Sequence, residues 1–516
     1  MCDSIPVSVT ILTKNSAEHL EKCLAALTRF DEVVILDGGS TDKTIEIAQT
    51  FPNVRLFHSE FIGFGALKNL AASFAENDWI FSLDSDEIFS QELVETLANL
   101  KLPSNEVGIV HRKNFYNGRL IDGCGWQNDF VVRFYNKNQT RFSDKTVHES
   151  IVTKDSRIIS LKGFLEHHPY KNAAGLLDKM QFYSTLYAAE NRFRKRATVL
   201  KSCAAGISAL IKSYFFGKGI FYGAEGLLIS VSNAGGAFYK YMKLREANKH
   251  LRVSLIITTY NREDALEATL QSALAQTALP DEIIIADDGS RSATKELIER
   301  YQKKSPISII HCRQPDKGFR AAQIRNKSIA AATGEYIIIV DGDLILHPEF
   351  VKDHKTHAHR NNFIQGSRAW LSEAKTKNEL AKNNAAAPPS IFAVGNRANA
   401  VHSRFLSKLF SKNVNYERGV KSCNMSFWRD DCLLVNGFNE DFTGWGREDS
   451  EFVVRLLNNN IKRINLRFGA ITYHLFHPHN SRENLSRNDS ILQKTIEEKL
   501  TRCENGITKS MREEKI

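Results

Sequence analysis

Short runs of β-branched and aliphatic residues alternate with longer amphipathic stretches along most of the chain. In the second half this pattern predicts strands over 253–259, 282–287, 307–311 and 335–341, and helices over 263–276, 294–304 and 321–332. The apolar runs SLIIT, IIIA and YIIIV are typical of parallel strands that are buried on both faces. The pattern therefore predicts an α/β fold in which helices cover both faces of a parallel sheet.

The same blocks of sequence occur twice, about 250 residues apart. The matching pairs are VSVTILTKN (7–15) and VSLIITTYN (253–261), DEVVILDGGSTDKT (31–44) and DEIIIADDGSRSAT (281–294), and DWIFSLDSD (78–86) and EYIIIVDGD (335–343). Because the separation stays nearly constant, the chain is predicted to contain a duplicated domain.

Polar residues stand at the carboxyl ends of the predicted strands in both copies. They are Asn15, Asp37, Asp84 and Asp86 in the first copy, and Asn261, Asp287, Asp341 and Asp343 in the second. Ligands bind at this edge of a parallel sheet. Each aspartate could instead cap the helix that follows it. Two carboxylates spaced to share one divalent ion, present twice, favour a metal–phosphate site.

The motifs TKN/TYN, LDGGSTD/ADDGS and DSD/DGD, in this order, resemble those of family-2-type inverting glycosyltransferases. The resemblance covers most of both copies. It implies two nucleotide-diphosphosugar-transferase domains of the GT-A, Rossmann-like fold. It also implies a nucleotide-sugar donor, with UDP-sugars foremost, and Mn²⁺ or Mg²⁺ as the cofactor.

The resemblance assigns the donor-side residues of each copy. In the metal pairs, Asp86 and Asp343 would bind the ion, while Asp84 and Asp341 would orient the ribose or a water on the ion. The residues expected at the nucleotide are Asn15, Asp37 and Lys68 in the first copy, and Asn261, Asp287, Asp288 and Arg325 in the second. Lys68 and Arg325 could instead lie on solvated helix faces.

The acceptor side of the second copy contains the stretch GWGRED at 444–449. It resembles the GWGxED motif of galactosyl- and N-acetylgalactosaminyl-type transferases, in which the acidic pair begins a helix. The resemblance implies that Asp449 is the catalytic base, that Glu448 holds the acceptor sugar and that Trp445 contacts a sugar ring. His474 resembles a further metal ligand of that family, although neighbouring histidines at 477 and 479 leave the choice open.

The first copy lacks this motif, so its base is expected elsewhere. The candidate is Glu149 in KTVHES, with Trp126 and Arg133 of GWQNDFVVRFYN as acceptor-binding residues. The arrangement resembles lipopolysaccharide-core glucosyltransferases that act on the inner-core heptose. Glu149 could also be an ordinary surface acid.

Residues 171–250 contain thirteen Lys or Arg and four Asp or Glu, which accounts for nearly all of the net charge of +10. The segment is also rich in aromatic and aliphatic residues. Charged residues interrupt every apolar run, which argues against a transmembrane helix. Amphipathic helices on an anionic inner leaflet are predicted instead, with a helical linker packed between the domains as the alternative.

Composition and cysteine usage support a globular protein in a reducing compartment. Hydrophobic residues make up 42% and charged residues 25% of the chain, and none of the eight cysteines forms a CxxC pair. No signal peptide is predicted, so we expect a cytoplasmic protein that is peripherally associated with the inner membrane. The predicted parts are domains over 1–170 and 251–485, the basic segment over 171–250, and an exposed polar helix and tail over 486–516.

Three functions are compatible with these features. The first is a bifunctional inverting glycosyltransferase that builds a bacterial surface glycan, such as the lipooligosaccharide or lipopolysaccharide core, on a lipid-linked acceptor. The second is a two-domain polysaccharide polymerase that alternates two sugars. The third is an enzyme in which one half is only a sugar-binding module, although intact aspartate pairs argue against it. Nucleic-acid binding is not expected, because the basic region is rich in apolar residues.

Overall fold

Residues 4–100, 105–143, 150–154, 156–170, 172–382, 385–478 and 481–513 are described by a computed structural model. The chain divides into two compact units. The first contains Met1–Asn191 and Ala197–Arg245, and the second contains Arg192–Arg196 and Glu246–Ile516.

The first unit is built on four parallel strands: β1 (Ile5–Thr13), β2 (Phe30–Asp37), β3 (Val54–His58) and β4 (Trp79–Asp84). They lie in the order β3-β2-β1-β4. Apart from Pro6, Leu12 and Asp31, every residue of β1 and β2 is buried, as expected for strands covered by helices on both sides. Thr13 pairs with Asp37, and Leu12 pairs with Asp84, so both aspartates end at the same edge of the sheet.

The sheet continues beyond β4 with strands from the second part of the unit: β5 (Glu87–Phe89), β6 (Glu106–Tyr116), β7 (Arg119–Leu120), β8 (Phe130–Asn136) and β9 (Arg157–His167). The order is β4-β8-β6-β9-β5, with β7 paired to β6. Because β5 pairs Glu87 with His167, the end of β9 reaches the aspartate pair. The helices of this copy are α1 (Ala17–Ala25), α2 (Thr44–Gln49), α3 (Phe64–Phe74) and α4 (Gln91–Ala98).

The basic segment forms three long helices. They are α5 (Ala173–Asn191), α6 (Val199–Ile211), which continues as a π-helical turn (Lys212–Phe216), and, after a 3₁₀ turn (Gly219–Tyr222), α7 (Gly223–Ala247). The turn between α6 and α7 is tight, since a Cβ on Gly226 would lie 1.9 Å from the Gly219 carbonyl oxygen. We call α6, α7 and the turns between them the helical hairpin. The Cys124 carbonyl oxygen accepts hydrogen bonds from Ser213 Oγ (3.0 Å) and Asn233 Nδ2 (2.9 Å), which attach the helical hairpin to the first copy.

One stretch of this hairpin is more apolar than the sequence analysis allowed. Val199–Phe216 has a mean hydropathy of 1.2 and only 11% of it is buried, so by length and composition alone it could cross a membrane. Helices in the cores of water-soluble proteins can pass the same test. The prediction that charged residues interrupt every candidate span is therefore too strict, because Lys201 and Lys212 are tolerated within this window.

Five residues between α5 and α6 belong to the second unit. Arg192 makes two hydrogen bonds to the carboxylate of Glu335, at 2.7 and 2.8 Å. Phe193 is buried and its ring lies 5.1 Å from that of Trp428. This short stretch is thus part of the core of the second unit.

The second unit repeats the arrangement of the first. Its parallel strands are β10 (Val253–Thr259), β11 (Glu282–Asp287), β12 (Ser308–Arg313) and β13 (Tyr336–Asp341), in the order β12-β11-β10-β13. Strand β13 is buried along its length up to Asp341, which is partly exposed. All seven predicted elements between 253 and 341 are present, with bounds that differ by two residues or fewer.

Two sheets hold the remaining strands of this unit: β14 (Leu344–Leu346), β15 (Asn362–Gln365), β16 (Ser367–Leu371), β17 (Val394–Gly395), β18 (Lys412–Val414), β19 (Asn424–Trp428), β20 (Lys462–Asn465) and β21 (Ile471–His474). The main sheet continues as β13-β19-β15-β20-β18, and a second sheet has the order β14-β21-β16-β17. Leu344 pairs with His474, so the strand after the aspartate pair lies beside the end of β21.

The helices of the second unit are α8 (Glu263–Leu274), α9 (Ser292–Gln302), α10 (Ala321–Ala331), α11 (Phe350–His357), α12 (Glu373–Ala381), α13 (Arg404–Phe410), α14 (Arg429–Leu434), α15 (Glu448–Asn458), α16 (Leu485–Glu497) and α17 (Ile507–Glu513), with 3₁₀ turns at Ile391–Ala393 and Arg397–Ala400. The prediction of an exposed tail is wrong for α17. Ile507 is buried in the core, and its main-chain nitrogen donates to the Asn436 carbonyl oxygen at 2.9 Å.

Candidate active sites

The two copies share a turn that begins with an asparagine in the left-handed conformation. Asn15 has φ +52° and Asn261 has φ +48°. In each, the main-chain nitrogen donates to a serine hydroxyl, Ser40 at 2.8 Å or Ser290 at 3.0 Å. The asparagine Oδ1 accepts a hydrogen bond from the main-chain nitrogen of the residue after that serine, at 2.8 and 2.9 Å. Both predicted asparagines therefore shape the loop that follows β2 or β11.

Asp37 and Asp287 are buried at the ends of these strands. Asp37 accepts hydrogen bonds from Thr13, from the main chain at Gly39 and from both the main chain and the hydroxyl of Ser40. A carboxylate has about four acceptor positions, so these four donors use the full hydrogen-bonding capacity of Asp37. Burial raises its pKa, but these bonds outweigh burial and hold the pKa below its usual range.

The loop of the second copy carries an additional carboxylate. Asp287 accepts from Ser290 N at 2.7 Å and lies 2.9 Å from His311 Nε2. Asp288, which occupies the position of Gly38 in the first copy, accepts from the main chain of Arg320 at 2.8 Å. Burial raises the pKa of Asp288. The two predicted nucleotide sites therefore differ by one carboxylate.

In the first copy, Asp84 lies against two buried cations. Lys68 Nζ is 3.1 Å from Asp84 Oδ1, and Arg133 Nη2 donates to the other oxygen. Arg133 also pairs with the buried Glu87 at 2.7 Å. Burial acts to raise the pKa of Asp84, but Arg133 and Lys68 hold it well below its usual range. Arg133, predicted to bind the acceptor, is thus already paired with two carboxylates.

This site also contains a histidine that was not predicted from the sequence, His167. His167 Nε2 lies 3.5 Å from Asp86 Oδ2, and its Nδ1 is 2.6 Å from the side-chain oxygen of Asn114. That hydrogen bond orients the ring. The signal was present, because GFLEHHP in the first copy and AITYHLFHP in the second both place a histidine at the end of a late strand.

The acceptor residues predicted for the first copy are only partly described. Trp126 stacks on Tyr170, with ring centres 5.5 Å apart and an interplanar angle of 20°. It packs against a buried cluster that includes Ile229 of α7, so one side of the ring is covered. Glu149 lies outside the described residues, and its role stays a prediction.

In the second copy, Arg325 joins the donor side to the acceptor side. Its guanidinium lies 3.6 Å from Asp341 Oδ1 and 3.1 Å from Glu448 Oε1. Arg325 is only 4% exposed, and its Nε has no hydrogen-bond partner among the described residues. Asp341 also accepts from Thr258 Oγ1 at 2.8 Å. One buried cation thus holds two of the predicted site carboxylates in position.

The GWGRED stretch forms a tight turn into α15. Gly444 and Gly446 have φ +72° and +108°, and Arg447 has φ +77° immediately before the helix begins at Glu448. Glycine adopts such angles without steric cost. Trp445 is 40% exposed and the Arg482 guanidinium lies 5.6 Å from its ring centre. The turn therefore presents an aromatic face beside two carboxylates at a helix N-terminus.

Asp449 has the ionisation expected of a base that works near neutral pH. Its Oδ2 accepts from Ser422 N at 3.2 Å, and its Oδ1 accepts from Ser450 N at 2.7 Å. Burial and then the neighbouring Glu448 raise the pKa of Asp449 to about 6, although Arg325 opposes them. The carboxylate is ionised at pH 7 and still basic enough to accept a proton.

Asp343 forms a cluster with two histidines. His477 Nε2 is 3.5 Å and His474 Nε2 is 3.7 Å from Asp343 Oδ2, and one ligand atom from each of the three residues lies within 4.8 Å of the others. Burial and then Arg368 lower the pKa of His474 to about 4, so its imidazole is neutral. His479 lies outside the described residues.

These three side chains fit a divalent metal ion. Asp343 Oδ1 is buried without a hydrogen-bond partner among the described residues, which is costly unless a cation faces it. One carboxylate and two imidazoles are suitable ligands for a first-row divalent ion. Within the described parts of the chain, no comparable three-residue group occurs in the first copy, where Asp86 faces His167.

Two family profiles match the chain. That of glycosyl transferase family 2 matches residues 8–153 and 254–427, which together exceed half of the chain. The chain belongs to glycosyl transferase family 2. The two matched ranges fall on the two copies, so this glycosyltransferase contains the family domain in tandem, and the predicted α/β, GT-A-like fold is confirmed. The profile of the N-terminal domain of galactosyltransferase matches residues 403–479, which include Trp445, Asp449 and His474.

Several curated proteins are similar to this glycosyltransferase. An uncharacterized glycosyltransferase of Rickettsia prowazekii (strain Madrid E) is 26% identical over 269 residues, covering 49% of this chain and 91% of that protein. Chondroitin synthase of Pasteurella multocida (strain Pm70) is 27% identical over 285 residues, covering 51% of this chain but 28% of the synthase. The crystal structure of S. aureus TarS 1-349 in complex with UDP-GlcNAc has a TM-score of 0.35 at 17% identity, covering 47% of this chain and 65% of that one.

The raised pKa of Asp449 predicts the pH dependence of the second site. The predicted role of Asp449 as the base requires it to be ionised, so kcat/KM is expected to fall as the pH decreases through about 6 and to be constant above it. Glu448→Gln removes a negative charge that raises this pKa, so the acid limb should move to lower pH. Rates are measured between pH 5 and 8 at saturating divalent ion. An acid limb that stays in place in Glu448→Gln would assign it to another group.

Proposed function

We propose that the protein is a bifunctional inverting glycosyltransferase with one transfer site in each unit. The donors are nucleotide-diphosphate sugars, with UDP-sugars foremost. The observation that carries this proposal is the repeated environment of the aspartate pair. In the first unit, Asp84 lies against the buried cations Lys68 and Arg133, and Asp86 lies near His167. In the second unit, Asp341 lies near the buried Arg325, and Asp343 lies near His474.

In the second site, Asp449 takes the proton of the acceptor hydroxyl as that oxygen attacks the donor sugar. Glu448, held by Arg325, positions the acceptor, and Trp445 contacts the face of a sugar ring. Asp343, His474 and His477 would hold a divalent ion, which neutralises charge on the departing diphosphate. Of the two predicted ions, Mn²⁺ suits two imidazoles better than Mg²⁺, which prefers oxygen ligands.

In the first site, Asp86 and His167 are the proposed metal side, and Lys68 with Arg133 fix Asp84. Glu149 remains the proposed base. The product of both sites is proposed to be a bacterial surface glycan, such as the lipooligosaccharide core, on a lipid-linked acceptor.

The two-site proposal is tested with Asp86→Ala and Asp343→Ala, assayed separately with labelled UDP-sugars. Each substitution is expected to lower one sugar transfer at least tenfold and to leave the other within twofold, because each removes a metal ligand from one site only. Asp264→Ala, which changes an exposed aspartate of the second unit, is the matched control. If neither substitution affects any transfer, the proposal fails.

A polysaccharide polymerase is the second candidate. The similarity to chondroitin synthase and to the hyaluronan synthase of Pasteurella multocida, which is 28% identical over 42% of this chain, favours it. The length of product made on an oligosaccharide primer separates the two. A long ladder of products supports a polymerase, and addition of one or two sugars supports core assembly.

The helical hairpin is proposed to dock on the anionic inner leaflet, which would keep this cytoplasmic enzyme beside its lipid-linked acceptor. Large apolar side chains near its tip face solvent, including Phe216 (80% exposed) and Phe221 (76% exposed). Lys212 and Lys218 are exposed beside them. Apolar residues that enter the interface and lysines that meet the headgroups are typical of peripheral membrane helices.

Substitution of both phenylalanines is expected to weaken binding to vesicles that contain phosphatidylglycerol. Each ring contributes on the order of 1.5 kcal/mol when buried, so Phe216→Ser/Phe221→Ser should reduce the partition coefficient at least tenfold. Vesicle cosedimentation measures this. Phe405→Ser, which changes an equally exposed phenylalanine (71%) of the second unit, should bind as the unmodified protein does. Equal loss in the control would contradict docking through the hairpin.

A further inference from the structure

A strongly basic cavity lies in the second unit, at the ends of β15, β16 and β20. Its volume is about 320 Å³, and its wall contains Arg368, Lys421, Arg463 and Arg467. None of its lining residues is acidic. We call these four cations and the space between them the basic cavity. Four positive charges around one space repel each other unless an anion lies among them.

Of the four cations, Arg463 is the one whose surroundings most favour a bound anion. It is 4% exposed, and its Nη1 donates to the carbonyl oxygen of Arg418 at 2.8 Å. Its Nε is buried without a hydrogen-bond partner among the described residues. Burial lowers the pKa of Arg463. A buried guanidinium that meets no carboxylate is costly, and a bound anion would remove that cost.

None of the other cations forms a close ion pair with a carboxylate in the described parts of the chain, although Arg368 interacts electrostatically with Asp343, and Lys421 with Asp449. Arg368 Nη1 contacts Cys423 Sγ at 3.5 Å. Lys421 and Arg467 are exposed at the mouth of the cavity. Gln365 fixes the main chain of Lys421 from both sides, accepting from its nitrogen at 2.9 Å and donating to its oxygen at 3.0 Å. The position of the main chain at Lys421 is thus fixed by Gln365.

The basic cavity adjoins the proposed base. The residue after Lys421 is Ser422, whose main-chain nitrogen donates to Asp449 Oδ2. Around the same space are features that suit a sugar: the half-exposed ring of Trp370 and the side-chain amides of Asn396, Asn399 and Asn465. An aromatic face with several amides binds the apolar faces and hydroxyl groups of a sugar.

We propose that the basic cavity binds the anionic group of an acidic acceptor sugar, a carboxylate or a phosphate, and so makes the second site selective for an acidic glycan. This inference rests on the proposed function of that site. The same chemistry is also present in the diphosphate of a nucleotide donor, and the two sources make different predictions. An acceptor anion predicts discrimination between charged and neutral sugars, while a donor diphosphate predicts an effect on nucleotide affinity alone.

The test uses the full chain and small probes. Binding of p-nitrophenyl β-glucuronide, p-nitrophenyl β-glucoside and glucose 6-phosphate is measured by saturation-transfer NMR, and binding of UDP with Mn²⁺ by calorimetry. We expect the two acidic sugars to bind at least tenfold more tightly than the glucoside. Lys421→Gln/Arg467→Gln should abolish this preference without changing the Kd of UDP. Lys412→Gln, an exposed lysine outside the cavity, is the matched control.

Equal binding of the acidic and neutral sugars by the unmodified protein would overturn the proposal. So would a tenfold weaker binding of UDP in the double variant with the sugar preference unchanged, since the cavity would then serve the donor. Failure of UDP to bind the unmodified protein at all would instead count against the proposed function. A preference for acidic sugars that the double variant loses would still support the basic cavity in that case.

Discussion

Asp449→Asn is expected to lower kcat of the second transfer by about a thousandfold, because a positioned base typically contributes 10²–10⁴ to the rate. Asparagine keeps the size of the side chain and the hydrogen bond from Ser422, but it cannot accept a proton from the acceptor hydroxyl. Donor binding should change little, because the hydrogen bonds of Asp449 within the described chain come from Ser422 and Ser450 and not from the predicted donor-side residues.

The measurement is the rate of each transfer in the full chain together with the Kd of UDP. Transfer by the first unit is the internal control, since the substitution lies outside it. Asp489→Asn is the matched variant: Asp489 is exposed on α16 and pairs with Arg447 at the same turn. A loss below tenfold in Asp449→Asn would remove it from the role of base and leave Glu448 as the candidate.

Arg325→Met is expected to destabilise the second unit by about 3–5 kcal/mol, the usual cost of removing one partner from a buried ion pair. The substitution leaves Asp341 and Glu448 without their shared cation. For a unit of this size the change corresponds to a decrease in melting temperature of about 6–20 °C, measured by calorimetry on the full chain.

The controls compare the loss of a buried arginine with the loss of an exposed arginine. Arg300→Met removes an exposed arginine that lies 3.7 Å from Glu267, and it should shift the melting temperature by less than about 4 °C, because exposed pairs contribute at most about 1 kcal/mol. Adding Glu448→Gln to Arg325→Met should recover part of the lost stability by removing one unpaired carboxylate. A shift in Arg325→Met as small as that in Arg300→Met would contradict a buried bridging role.

The repeated parallel strands were predictable because burial on both faces leaves uninterrupted apolar runs such as YIIIV, and because two copies support each other. The polar residues at their ends followed from the geometry of parallel sheets. The position of Arg325 between Asp341 and Glu448 was not predictable, since these residues are distant in the sequence and meet only through the packing of α10 against the sheet.

Other misses have the same origin. His167 ends β9, which pairs in parallel with β6 and antiparallel with β5. The histidine that ends a late strand in both copies was a usable signal, but the pairing of His167 with Asp86 depends on the register of β5 with β9. Ile507 and Met511 are isolated apolar residues in a polar stretch, and two positions are too few for periodicity to indicate that they pack against the core. The pairing of Arg133 with Asp84 and Glu87 was also not predicted, because these residues meet only in the folded chain. Its role at the acceptor stays a prediction.

The five residues from Arg192 to Arg196 bear on any attempt to divide the protein. A polypeptide that begins at Leu251 would have the whole of the second copy but not the ring of Phe193, leaving Trp428 uncovered and Glu335 without Arg192. Such a fragment would be less stable, and loss of its activity would be mistaken for dependence on the first copy. The two proposed activities are better separated by point substitutions in the intact chain than by cutting at the boundary of the repeat.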